Sequence, residues 1–341
     1  MELLNRIPMP DDMDKGEIID LLLREEYGYL PKGDVKVSAE LVEEDKKFCA
    51  GKAVLLKLKL TCKGDFGEFS FPVMYSKNLS EGKKPCFIHI NFSPNVPDKY
   101  QPTEEIVDNG YSILSFFYQD VTTDDGDFTN GLAGLVYPNG ERGEYDCGKI
   151  GLWAWAAMRV MDYAISLPEI DSERITVAGH SRLGKTALLA GMLDERFFCA
   201  VSNNSGSCGA AISREKEGET IEVICRVFPY WFNKHYLKYI NNEENLPFDQ
   251  HYLVAANYPH LVYVASAEDD TWAGPKNEYL SCVAASGYFE KRGKKGFDHP
   301  DRLAEVGEAF HEGSIGYHYR KGTHFQSRYD WQKYIEFLNK H

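Results

Sequence analysis

The sequence predicts an α/β protein with a doubly wound, mostly parallel central sheet. Five short and almost entirely apolar runs alternate with segments of helical periodicity, as buried parallel strands covered by helices on both faces do. The runs are PCFIHIN, YSILSFF, RITVAGH, RFFCAVS and HLVYVAS. The predicted helices cover residues 104–109, 149–166, 183–193, 249–257, 275–289 and 329–340. Because no repeat or Pro/Ser-rich linker interrupts the chain, we expect a single domain over residues 1–341.

Ahead of these runs, the sequence predicts a helical extension and two antiparallel strands. Residues 15–27 carry Ile and Leu among charges and end at YGYLP, which is typical of a short helix that packs by one side. We therefore treat residues 1–35 as an N-terminal helical extension. KAVLLKLKLT and EFSFPVMYS then alternate across a KGDFG turn, as antiparallel strands do. This order suits the α/β-hydrolase fold, a three-layer sandwich, although several doubly wound folds share the same periodicity.

Composition and charge exclude several classes of function. The chain has 38 Lys and Arg against 52 Asp and Glu, a net charge of −14 that repels nucleic acid and anionic membranes, and we expect neither as a partner. No cationic segment precedes an apolar run near the start, so we expect a cytoplasmic chain, with an export signal removed before residue 1 left open. The eight cysteines form no C-x-x-C pair, and we expect no metal and no cofactor. The oligomeric state is left open.

The stretch RITVAGHSRLGKTALLAGMLD contains the candidate nucleophile, Ser181. A predicted strand leads through Gly179 and His180 into a helix, which is the context of a nucleophile elbow. Such a turn lifts the serine hydroxyl above the sheet and places it at the positive end of the helix. The pattern departs from G-x-S-x-G, because Leu183 precedes Gly184. A serine that only caps the helix is the alternative.

These residues resemble the G-C-S-R-x-G-K elbow of the glucuronoyl esterase family of carbohydrate esterases, with His180 in place of the usual Cys. Other segments resemble elements of that family in the same order, from about Arg24 to the C-terminus. They are NNSGSCGAAISR, FPYWF, LPFDQH and DTWAGP. The resemblance implies an α/β-hydrolase fold and cleavage of glucuronic acid esters.

The candidate general base is His324. Hydrolases of this plan run Ser, acid, His along the chain, and His324 follows the last strand-like run and precedes the final helix. It also matches the base of the resembling family. The other histidines are weaker candidates: we expect His251 to make a core or helix-start hydrogen bond, and of His311 and His318, which lie near the base, we expect His318 in a strand.

The acid is the harder assignment. The resemblance to fungal members places a Glu where this chain has Asn204, and an amide cannot stabilise an imidazolium as a carboxylate does. We therefore expect no contribution of Asn204 to the acid function. The loop after HLVYVAS lies where most α/β-hydrolases carry the acid, and we predict Asp270 because its D-x-W spacing resembles bacterial relatives. Asp269 is the alternative acid. The neighbouring carboxylates of this loop are also compatible with a solvated turn that has no catalytic role.

Arg182 and Asn91–Phe92 are the candidate oxyanion donors. The Arg182 N–H follows the nucleophile, and the resemblance adds its guanidinium, although a surface salt bridge is the alternative. Asn91 and Phe92 follow the FIHIN strand, where a second donor belongs. The resemblance assigns Lys185 and Trp272 to the uronate sugar, and a Trp face is a common sugar platform. For Lys185, an ordinary position on the helix surface is the alternative.

The motif DVTTDDGD, residues 120–127, has only a superficial likeness to a calcium loop, because it lacks the Glu that the calcium pattern requires. We interpret it as a solvated loop.

The sequence as a whole predicts a serine esterase whose partner is a small carbohydrate ester, a glucuronoyl ester first and an acetylated xylo-oligosaccharide second. A non-catalytic carbohydrate-binding descendant is the third hypothesis, because of Asn204.

Overall fold

The computed structural model describes residues 2–341 and contains one ten-stranded sheet. The strands are β1 (Lys36–Asp45), β2 (Ala53–Gly64), β3 (Gly67–Asn78), β4 (Lys84–Asn91), β5 (Ser112–Phe117), β6 (Ile170–His180), β7 (Cys199–Asn203), β8 (Leu261–Ala267), β9 (Ala309–Phe310) and β10 (Ile315–Arg320). Their order is β1-β2-β3-β5-β4-β6-β7-β8-β10-β9. The six neighbouring strands β5-β4-β6-β7-β8-β10 are parallel to one another. Strands β1, β2 and β3 precede them in the order as antiparallel strands. The predicted α/β-hydrolase fold is confirmed.

Helices cover both faces of the sheet. They are α1 (Lys15–Leu22), α2 (Thr103–Asp108), α3 (Tyr118–Val121), α4 (Gly131–Val136), α5 (Lys149–Ala164), α6 (Arg182–Leu193), α7 (Ile221–Val227), α8 (His251–Ala255), α9 (Pro275–Glu290) and α10 (Arg328–Lys340). Successive residues of β4 point to opposite cores, since Phe87 packs with Trp331 of α10, whereas Ile88 shares a core with Trp153 of α5. This alternation makes the molecule a three-layer sandwich.

Three local features differ from the sequence prediction. Strand β1 was not anticipated, because KVSAELVEED lies at the sheet edge, is mostly exposed and carries charges instead of an apolar alternation. The predicted helix over residues 15–27 ends at Leu22 and continues as a π-helical turn over Leu23–Tyr27. Helices α3, α4 and α7 have only four to seven residues, too few to give a periodic signal.

The N-terminal residues pack against the second half of the chain. Leu3 and Ile7 are buried in a small cluster with Ile212 and Leu280. The hydroxyl of Tyr27 donates to the carbonyl oxygen of Cys208 at 2.7 Å. These contacts support the loops after β7, which form part of the site described next. Within residues 2–341, no helix has the length and apolarity needed to cross a membrane.

Candidate active site

Ser181 lies at a strained turn between β6 and α6. Its φ of 57° and ψ of −128° fall in a region that residues with a Cβ rarely adopt. The turn requires Gly179, because a Cβ at that position would lie 2.1 Å from the carbonyl oxygen of Leu183. Within the described residues, the Ser181 side chain makes no capping hydrogen bond to α6, so this serine is not simply the cap of that helix.

His324 and Asp270 form a hydrogen-bonded pair. Nδ1 of His324 donates to Oδ2 of Asp270 at 2.6 Å, and Asp270 is 3% exposed. Burial alone would raise the pKa of Asp270, but the hydrogen bond and charge of His324 outweigh burial and lower that pKa. The alternative acid, Asp269, is exposed, and its N–H donates to the carbonyl oxygen of Gly322 at 3.0 Å. The structure therefore brings an ionised Asp270 to His324.

Asn204 is a second donor to the same carboxylate. Its Nδ2 donates to Oδ2 of Asp270 at 2.8 Å, and the N–H of Ala273 donates to Oδ1 at 3.2 Å. Asn204 is buried and has a φ of 46°, a conformation that asparagine adopts more readily than most residues. The sequence did not indicate this contact, in which the amide of Asn204 holds the Asp270 carboxylate. That Asn204 does not itself supply the acid function stays a prediction.

His180 lies behind the candidate base. Its ring centroid is 4.5 Å from that of His324, and its Nδ1 donates to Oδ1 of Asn203 at 2.7 Å. Burial and the neighbouring His324 lower the pKa of His180 to about 3. The residue that replaces the usual Cys therefore packs a neutral ring against His324.

Ser181 and His324 open onto one cavity of about 460 Å³. Trp231 forms a buried part of its wall, and Trp272 lines it while 52% exposed. Such a mixture of aromatic surface and polar groups suits a small polar ligand with an apolar face.

Lys185 lies in the wall of this cavity but is not on the helix surface. Its ammonium group donates to the carbonyl oxygens of Ser205 and Ser207 and lies 3.5 Å from Oε2 of Glu219. The side chains of Lys185 and Glu219 are 3% and 11% exposed. All three N–H groups of Lys185 therefore have acceptors within the protein, and Glu219 is a cavity residue that the sequence did not indicate.

Arg182 presents two potential donors to the site. Its N–H is at the first position of α6, where helix geometry leaves no intrahelical acceptor. Its guanidinium lies 4.7 Å from the ring centroid of Trp231 and pairs with Asp124, whose side chain is only 7% exposed. The alternative of a surface salt bridge is thus wrong, because the partner carboxylate is buried.

Asn91 and Phe92 lie outside the set of described residues that line the cavity. The carboxamide of Asn91 is fully buried and donates to Oδ2 of Asp98 at 2.6 Å. Its side-chain amide is therefore bound within its own loop, and the oxyanion role of the Asn91–Phe92 loop stays a prediction. Phe92 packs beneath Arg182, with 5.8 Å between the guanidinium carbon and the ring centroid.

The acidic motif at residues 120–127 divides into two parts. Asp125 and Asp127 are exposed and accept hydrogen bonds from their own loop, as a solvated turn does. Asp124 points inward to Arg182, which the solvated-loop interpretation did not anticipate. In the described part of the chain, no group of three or more His, Cys, Asp or Glu is placed to hold a metal ion.

The chain is similar to known proteins over most of its length. A family model described as "Glucuronyl esterase, fungi" matches residues 58–293. A carbohydrate esterase of an unknown prokaryotic organism is 36% identical over 247 residues, which are 70% of this chain and 55% of that protein. A 4-O-methyl-glucuronoyl methylesterase of Podospora anserina is 27% identical over 276 residues, 77% of this chain and 52% of the relative. The chain thus spans about half the length of these curated relatives.

Solved structures match over nearly the whole chain. A glucuronoyl esterase from Solibacter usitatus has a TM-score of 0.88 and 30% sequence identity, covering 97% of this chain and 92% of that one. A promiscuous esterase from a marine bacterial metagenome has a TM-score of 0.86 and 28% identity with the same coverage.

Proposed function

The chain belongs to the glucuronyl esterase family, and from that premise we propose that it is a serine carbohydrate esterase acting on glucuronoyl esters. Its leading substrate is an ester of 4-O-methyl-glucuronate in plant cell-wall material. The observation that carries the proposal is the convergence of Ser181, the His324–Asp270 pair and Arg182 on one cavity. Acyl transfer to serine needs a nucleophile, a base oriented by an acid, and donors for the oxyanion.

In the proposed reaction, Oγ of Ser181 attacks the ester carbonyl carbon while Nε2 of His324 takes the hydroxyl proton. Asp270 orients the ring through its Nδ1–H and stabilises the imidazolium. Arg182 donates to the oxyanion of the tetrahedral intermediate. Collapse of the intermediate releases the alcohol, which takes the proton from His324. Water, deprotonated by His324, then cleaves the glucuronoyl-serine and releases the acid.

The cavity supports a sugar in the acyl half of the ester. The exposed indole of Trp272 can cover one face of a pyranose ring. Glu219 can accept a hydrogen bond from a sugar hydroxyl, and Lys185 behind it holds the carboxylate in position. Because Lys185 is already satisfied by protein acceptors, a direct contact with the sugar requires it to exchange one of them. An acetyl group would leave these contacts unused.

The test compares kcat/KM for methyl glucuronate, an acetylated xylose derivative and an aryl acetate. We expect a preference for the glucuronoyl ester of at least about tenfold, the value of one good contact at ~1.4 kcal/mol. Trp272→Ala and Lys185→Ala should each reduce this preference while aryl acetate hydrolysis changes little. Tyr145→Ala, another exposed aromatic residue that does not line the cavity, is the matched control and should change neither.

Two results would replace the proposal. Equal or faster turnover of the acetylated sugar would favour an acetyl esterase. Binding of the sugar without hydrolysis of any ester would favour a non-catalytic carbohydrate-binding protein.

A further inference from the structure

Asp124 is held by side chains from three other parts of the chain. Its Oδ2 pairs with Nη1 of Arg182 and accepts from the hydroxyl of Tyr118 at 2.9 Å. Its Oδ1 accepts from Nε1 of Trp231 at 2.7 Å. With the side chain only 7% exposed, this carboxylate is desolvated and depends on these partners. Its position is therefore fixed by the packing of the cavity wall.

Arg182 depends on Asp124 for its direction. The guanidinium carbon lies 5.2 Å and 4.7 Å from the ring centroids of Phe228 and Trp231. Aromatic faces attract a cation but leave it free to rotate in its plane. The hydrogen bond to Asp124 is directional and removes that freedom.

We propose that Asp124 is a positioning residue that aims the Arg182 guanidinium at the oxyanion. This inference rests on the proposed esterase function and extends it to a residue that touches neither substrate nor reacting atoms. The same carboxylate anchors the Trp231 indole, so the donor and the wall beside it are held by one group. Arg182 and Trp231 donate to different oxygens of Asp124, and a carboxamide replaces one of those oxygens with an NH2 donor. Asp124→Asn is therefore a nearly isosteric change that removes one of the two acceptors.

The experiment is a double-mutant cycle with Arg182→Met. We expect Asp124→Asn to lower kcat for the glucuronate ester at least about tenfold with KM changed less than about twofold, because oxyanion donors act in the transition state. In the Arg182→Met background, Asp124→Asn should lower kcat less than about twofold. Asp194→Asn is the matched control, since Asp194 is equally buried, pairs with Arg196 and lies at the opposite end of α6. It should leave kcat unchanged.

Equal losses of kcat in both backgrounds would overturn the inference, because Asp124 would then act independently of Arg182. A second measurement, made on the free protein without substrate, tests the same inference independently of activity. In ¹⁵N NMR of the free protein, rotation of the Arg182 guanidinium should be slow in the wild type and fast in Asp124→Asn and Asp124→Glu, with Asp194→Asn unchanged. Slow rotation in both Asp124 variants would also contradict the inference. If the wild type cleaves no ester, the proposed function fails, while the rotation still decides the role of Asp124.

Discussion

At Ser181, the proposed nucleophile, neighbouring residues maintain the backbone conformation. A non-glycine residue in this region of φ and ψ costs on the order of 1–3 kcal/mol. The N–H of Ser181 donates to the carbonyl oxygen of Asn203, and the carbonyl of Ser181 accepts from the N–H of Gly184, both at 2.8 Å. These bonds to β7 and within α6 hold the turn in this conformation. The Ser181 hydroxyl therefore faces the cavity without any further change of the backbone.

We expect Ser181→Ala and His324→Ala each to lower kcat by several orders of magnitude, because nucleophile and base act as one unit. Circular dichroism and the melting temperature should stay close to those of the wild type, since neither side chain is buried. His341→Ala, an exposed histidine at the C-terminus, is the control. Near-normal turnover in either active-site variant would remove Ser181 or His324 from the mechanism.

The acid pair gives a graded prediction. Asp270→Asn should lower kcat about 10³- to 10⁴-fold, because an amide leaves His324 in the wrong tautomer. Asn204→Gly should lower kcat only about five- to tenfold, the loss of one donor to Asp270, and glycine tolerates the φ of 46° at this position. Asp269→Asn should stay within about twofold of the wild type. A larger loss in Asp269→Asn than in Asp270→Asn would reverse the assignment.

At the scale of elements, the loop that carries His324 is fixed between β10 and α10. Arg320, at the end of β10, donates to the carbonyl oxygens of Lys321 and Phe325 on either side of His324. Nε of Arg320 donates to Oδ1 of Asp330 at 2.7 Å, in the first turn of α10. One buried carboxylate therefore connects the strand, the loop and the helix.

Asp330→Asn should lower the free energy of unfolding by about 3–5 kcal/mol, because a buried ion pair loses one partner. It should also lower kcat, because Arg320 then holds the loop that carries His324 less firmly. Burial alone would raise the pKa of Asp330, but His318 and Arg320 lower it to about 2. Because the folded-state pKa is below that of the unfolded chain, this stability is present above about pH 4 and lost as the pH falls toward about 2.

Urea unfolding at several pH values measures the effect. The difference between the wild type and Asp330→Asn should shrink between about pH 4 and pH 2. Asp171→Asn, at a partly exposed aspartate of β6, is the control. A difference that does not depend on pH would contradict the ion-pair account.

At the scale of the whole molecule, the chain has a net charge of −14 and also buries carboxyl groups beneath the site. Glu26 is fully buried, and Nε2 of Gln250 donates to its Oε1 and Oε2 at 3.3 Å and 3.0 Å. Burial raises the pKa of Glu26 to about 8. Burial likewise raises the pKa of Glu278 to about 7.

The unfolded chain releases the Glu26 proton above about pH 4.5, whereas the folded protein keeps it up to about pH 8. The wild type should therefore lose stability as the pH rises through this window. Glu26→Gln removes that dependence, and its amide can donate to the buried and otherwise unpaired Oε1 of Gln250. The melting temperature of Glu26→Gln minus that of the wild type should increase by several degrees from pH 5 to pH 8. A constant difference between the two proteins would show that Glu26 does not hold the proton.

Several features were determined by the sequence itself, because they depend on neighbouring residues. Apolar runs marked the buried parallel strands, since a strand covered on both faces has no polar side. The strand–turn–helix around Ser181 was evident because the glycines that allow the turn lie within a few residues of it. Chain order together with the family resemblance selected His324, and a D-x-W spacing that resembles bacterial relatives selected Asp270 before Asp269. Strand β1 was not predicted, because an exposed edge strand has no apolar pattern in its sequence.

Only the tertiary structure decided how the polar groups are paired. Asp124 meets Arg182 across 58 residues of chain, and Asn204 meets Asp270 across 66. The same holds for Asn91, whose amide turned out to face its own loop, and for Lys185, whose ammonium is bound within the protein. A side chain's direction depends on which distant elements pack around it, and local periodicity carries no information about that. The sequence therefore located the proposed reacting groups, whereas packing determined which residues hold them in place.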